Sequence, residues 1–111
     1  MSKRDEGYKR VRGFGYYREC GKETMMICLT SDLTDSIEVG DEGVLCKDGT
    51  ESWLRITEKK RYANFEELLV VEGVNEVMPG MPFDWALDVL RDSYDSDGHE
   101  GVYLIRMVRR E

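Results

Sequence analysis

Residues 21–29 read GKETMMICL. The stretch opens on glycine, lysine, glutamate and threonine, as the mouth of a polar site would, and continues with five apolar residues in a row. The segment 24–29 predicts a strand buried on both faces, because its apolar run shows no clean alternation. Strand geometry sends Met26 and Cys28 to one face and Met25, Ile27 and Leu29 to the other. The second set is expected in the core. The first set is expected to line a cleft beside the polar entry Gly21–Thr24.

Upstream, YKRVR (8–12) predicts a short strand, and FGYYREC (14–20) predicts one or two helical turns stopped by Gly21. Downstream, SDLTDS (31–36) reads as a polar loop, and IEVGD gives a turn before a strand at about 42–46. Lys47-Asp48-Gly49 is a hairpin signal, since Asp-Gly accepts the positive backbone angles of a tight turn. Its partner strand runs from Glu51 to Tyr62, with Trp53, Arg55, Thr57 and Lys59 alternating against Leu54, Ile56 and Glu58.

Asn64 caps a helix with Glu67 three residues on, and Phe65, Leu68, Leu69 and Glu72 share one face before Gly73 stops it. Pro79 and Pro82 bracket a turn. Phe83, Ala86, Leu87 and Leu90 then form a helical stripe over 83–94, with Trp85 packed in the core or at the helix flank, and 101–108 is a closing strand. Strands and helices mix without βαβ alternation, which predicts an α+β fold. Late strands are expected to pair with early ones and curl the sheet into a small barrel.

The 111 residues suit one domain, with residues 1–6 loose. No window approaches the ~18 apolar residues of a membrane span, and the charged N-terminus is no signal peptide, so a cytoplasmic location is expected. Cys20, Cys28 and Cys46 are an odd number at wide spacing, unlike a disulfide framework or a zinc site. Asp92, Asp95, Asp97 and Glu100 lack the ligand pattern of a calcium loop. No cofactor or metal is expected. His99, the one histidine, stands in a turn-like stretch with no nucleophile beside it.

The net charge of −7 is uneven: residues 1–24 hold seven Lys/Arg against four acids, and the rest carries a strong acidic excess. An acidic protein is repelled by bulk nucleic acid, so RNA contact needs a local basic face. Tyr16 and Tyr17 beside Arg12, Arg18 and Lys22 form such an aromatic–basic cluster, suited to unpaired RNA. Trp53 is a second candidate stacking residue.

The GKxT entry, IEVGD, RYANFEELL, EGVNEVMPG and the final GVYLI occur in an order and spacing that resembles the ASCH domain, from about Tyr8 to Val108. The resemblance implies a PUA-like β-barrel of five or six strands with two or three helices, and a cleft beside the GKxT segment. It implies RNA or a nucleoside-like small molecule as partner. One branch of that family is an N4-acetylcytidine amidohydrolase using a lysine, a threonine and a glutamate. Lys22 and Thr24 match the family's entry. The amidohydrolase lysine falls at Glu23, however, and the nucleophilic threonine at Met26; the glutamate corresponds to Glu76, or less securely to Glu72. A thioether cannot be acylated and turned over, and a carboxylate cannot replace a cationic amine beside a developing oxyanion.

The expectation is therefore a non-catalytic binding module, with Arg12, Tyr17, Arg18, Lys22, Thr24, Met26 and Cys28 around the ligand. A hydrolase using Lys22, Thr24 and Glu76, acting on N4-acetylcytidine or RNA, is the alternative. So is a scaffold that meets a protein partner through its acidic surface. The oligomeric state is not legible in the sequence.

Overall fold

A computed structural model of the chain describes residues 8–11, 16–47 and 49–109. The strands are β1 (Tyr8–Val11), β2 (Tyr17–Cys20), β3 (Glu23–Leu29), β4 (Glu42–Lys47), β5 (Thr50–Tyr62) and β6 (Val102–Arg109). The helices are α1 (Asp32–Asp35), α2 (Phe65–Glu72), α3 (Val74–Val77) and α4 (Phe83–Tyr94). One sheet in the order β1-β4-β5-β6-β3-β2 results, with β4 to β2 antiparallel and β1 joined in parallel to β4. The fold is α+β, and the last strand lies between β5 and the early β3 as anticipated. None of the described helices is long and apolar enough to cross a membrane.

Both faces of the sheet are buried. On one, Met25, Ile27, Tyr62, Val102 and Leu104 pack under the helices against Phe65, Leu68, Leu69, Val77, Ala86, Leu87 and Leu90. On the other, Met26, Cys28, Leu54, Ile56, Ile105 and Met107 pack with Ile37. The unalternating apolar run of β3 thus serves two cores. α2 forms as its residues dictate. The Asn64 side chain accepts from Glu67 N–H at 2.8 Å, Phe65, Leu68 and Leu69 are buried, and Gly73 adopts a φ of +92° that ends the helix. The stripe of α4 is equally faithful, with Ala86, Leu87 and Leu90 inside. Trp85, expected in the core or at a helix flank, is instead 67% exposed.

Three local expectations are corrected. Where residues 14–20 predict helix, Tyr17–Cys20 is strand β2, and residues 12–15 lie outside the described residues. Its tyrosine is at home on a pleated surface, and pairing of Tyr17 with Met26 and Arg18 with Met25 overrides local helix preference. Gly21, at φ +64°, is a hairpin glycine rather than a helix stop. The segment 31–36 is not a loop but carries the single turn α1, nucleated by a Ser31–Thr34 capping box.

The third correction concerns β5. Its register against β6 shifts between Ile56 and Glu58, so the strict alternation read from the sequence stops there. Leu54 and Ile56 face the second core. The extra residue, Thr57, sends Glu58 to the helix side, where it meets Arg106, and turns Lys59 to the opposite side.

Candidate functional site

At the end of the helix-covered face, apolar packing gives way to charge. Register places Arg18 of β2 beside Met25 of β3, Met25 beside Arg106 of β6, and Arg106 beside Glu58 of β5, a single row across four strands. α3 closes the row from above with Glu76. Between them lies a pocket of about 110 Å³ lined by Arg18, Glu23, Thr24, Met25, Glu76 and Arg106. One water needs roughly 10–15 Å³ by the same measure, so the space suits a group about the size of one small ring.

Arg106 is the most constrained of these groups. Its Nε donates to Glu58 Oε1 at 2.9 Å and its Nη2 to Glu72 Oε1 at 3.0 Å. Glu72, whose side chain is only 7% exposed, also accepts from the Tyr62 hydroxyl and lies 3.6 Å from Lys60 Nζ. Burial alone would push the Glu72 carboxyl up; the Tyr62 hydroxyl, Lys60 and Arg106 outweigh it and hold the group below the usual carboxylate range. Burial and the bond to Glu72 push Tyr62 well above the ordinary phenol value. Charge-assisted bonds of this kind fix a guanidinium plane more firmly than contact with water does.

Arg18 is held differently, by one bond from Nη1 to the neutral main-chain oxygen of Glu76 at 2.7 Å. The neighbouring Tyr16 hydroxyl donates to Val77 O at 2.5 Å, so β2 and the strand entry clasp α3 twice. Among the described residues, Arg106 Nη1 and the carboxylates of Glu23 and Glu76 carry no further bond, leaving donors and acceptors turned to solvent around one small space.

The residues singled out from sequence separate into three groups. Arg18, Glu23, Thr24 and Glu76 are brought together at the pocket. Lys22 is exposed on the β2–β3 turn and is not part of the lining, although its carbonyl accepts from Arg109 N–H. Met26 and Cys28, expected in the cleft, are 3% and 1% exposed inside the second core, and Met25, expected in the core alone, lines the pocket instead. Met25 and Ile27 are in the core as expected, but the pocket opens on their face rather than on that of Met26 and Cys28. The helices cover the Met25 face and leave the pocket at its rim, while α1 and Ile37 seal the other. Burial pushes the Cys28 thiol up to about 12, which leaves it a core side chain rather than a nucleophile.

Tyr17 packs against the second core, on the side away from the pocket, and Arg12 lies outside the described residues. Arg106 is a pocket residue that was not among the candidates read from the sequence. The signal was an arginine that interrupts the apolar run of the closing strand, VYLIRMVR. The described residues hold no cluster of His, Cys, Asp and Glu suited to a metal ion.

No family model and no curated protein matches the chain. Two solved structures are similar to it. The crystal structure of hypothetical protein PH0355 matches with a TM-score of 0.67 at 25% identity, over 81% of this chain and 84% of that one. The solution structure of protein PF0455 from Pyrococcus furiosus matches with a TM-score of 0.63 at 26% identity, over 78% and 80%.

Proposed function

We propose that the chain is an ASCH-like binding module that takes RNA or a nucleotide-like ligand in the pocket beside Gly21–Thr24, without turning it over. Closure of the sheet into a PUA-like barrel is part of the same reading. One observation carries it. Two arginines from separate strands and two carboxylates from separate elements converge on a ring-sized space, with uncommitted donors and acceptors. A heterocycle with donor and acceptor edges matches that arrangement, as unpaired bases do in protein sites. In this reading Lys22, exposed at the adjoining turn, would meet the flanking phosphate of a strand.

The hydrolytic alternative draws on Thr24 and Glu76, which border the same pocket. It lacks the lysine: Lys22 is outside the lining, and Glu23 stands where an amine would be required. N4-Acetylcytidine is accordingly expected to bind without release of acetate.

The test is a titration of isotope-labelled protein with cytidine, N4-acetylcytidine and a short single-stranded RNA, followed by nuclear magnetic resonance. Saturable shifts concentrated at Arg18, Thr24, Glu76 and Arg106 are expected. For RNA, log affinity should fall against log salt with a slope of about −0.7 per phosphate contacted. The absence of saturable shifts with all three ligands would sink this reading.

A further inference from the structure

We infer that Glu58 and Glu72 are positioning residues that make the pocket select neutral ligands over anions, by orienting Arg106 and cancelling its charge. The inference deepens the reading of this pocket as a ligand site and rests on it for the identity of the neutral ligand.

Either carboxylate alone would orient a guanidinium; this one has two. Glu58 comes from β5, aimed by the Thr57 bulge, and Glu72 from the last turn of α2. They occupy Nε and Nη2, and Nη1 is the nitrogen left for a ligand. Glu72 is fixed in turn by Tyr62 and Lys60, so it cannot swing away without breaking three contacts in a mostly buried place. Including Glu23 and Glu76, the pocket and its supports place four carboxylates against three cations, Arg18, Lys60 and Arg106. A phosphate entering there meets Arg106, whose charge is already balanced by Glu58 and Glu72, and the carboxylates of Glu23 and Glu76, which outnumber the one remaining lining cation, Arg18. A neutral ring can use Nη1 and the free carboxylate oxygens together. The bulge therefore has a role beyond shape: without it Glu58 would stand on the other face and Arg106 would keep excess positive charge.

Inorganic phosphate is the probe that tests this separately from any nucleoside. Its titration is followed at the Nε–H signals of Arg18 and Arg106, in the intact chain and in Glu72→Gln and Glu58→Gln. Gln keeps an acceptor and the shape while removing the charge. The intact protein should show no saturable shift. Each variant should gain one, with phosphate affinity raised by about tenfold or more, since a full charge a few ångströms away is removed. Glu58→Gln, at a half-exposed position, is the variant of choice should Glu72→Gln fail to fold. Saturable phosphate binding by the intact protein, or no gain in a folded variant, would overturn the inference. Failure of cytidine, N4-acetylcytidine and the RNA alike to bind would instead overturn the proposed function and leave the phosphate result to decide this point.

Discussion

The two faces of β3 are buried to a similar degree by different means. Beneath the helices, Met25 and Ile27 join a large cluster built on aromatic and branched side chains from α2 and α4. On the reverse, Met26 and Cys28 join a smaller one under Ile37 and the single turn α1. The larger core is closed by regular helices. The smaller is closed by a lysine. Lys59 Nζ donates to the carbonyls of Thr34 at 2.8 Å, Asp35 at 3.3 Å and Ile37 at 2.7 Å, and lies 4.2 Å from the centre of the Tyr103 ring. Tyr103 in turn donates to Asp35. A short helix has unsatisfied carbonyls at its C-terminal end, and here one cation supplies donors to that end while its stem covers apolar surface. The contrast bears on where this pocket sits: Met26 and Cys28 are buried on one face, and the pocket lies on the other, at the end of the helix-covered side beside Met25 and Glu76.

This contrast can be broken at several strengths. Phe65 is fully buried and stacks at 5.1 Å from Tyr94, so Phe65→Ala should cost about 3–5 kcal/mol in denaturant unfolding. A loss below about 1 kcal/mol would mean that the helical core does not dominate stability. Lys59→Met keeps the stem but strips donors from three carbonyls, and should cost roughly 1–3 kcal/mol. If it is neutral, water closes the smaller core as well as the lysine does.

The smallest effect concerns the rim. The folded-state pKa of Glu72 lies below its unfolded value, so its contribution is present above the unfolded pKa, about 4.3, and is lost as pH falls through the depressed one. The melting temperature should therefore drop on acidification below about pH 4.3, and Glu72→Gln should make that drop shallower. Parallel pH profiles for the two proteins would show that the Arg106 network contributes nothing to acid stability.

The stable parts of the fold were written locally. Asn64, Phe65, Leu68, Leu69 and Gly73 announce a helix, its buried face and both its ends, and the same holds for the stripe of α4. Asp48-Gly49 marked the hairpin that pairs Lys47 with Thr50. Residues 17–20 and 31–36 misled because their state depends on partners or on a single-turn cap, and neither leaves a periodic signal. At the site, Thr24 and Glu76 were picked out through the GKxT segment and the motif order and Arg18 through the aromatic–basic cluster, whereas Glu23 was noted only as standing at the lysine position. Met26 and Cys28 were placed on the wrong side, since alternation separates two faces and does not say which one a helix will cover.

The amino-acid order alone determined that β3 is apolar on both sides, that α2 is capped by Asn64, and that the chain mixes strands with helices. Only the tertiary structure decided that Glu58 turns toward Arg106 and that Met25 rather than Met26 reaches the pocket. A bulge and a cross-strand register depend on which distant backbones exchange hydrogen bonds, and that energy is absent from any short window of sequence.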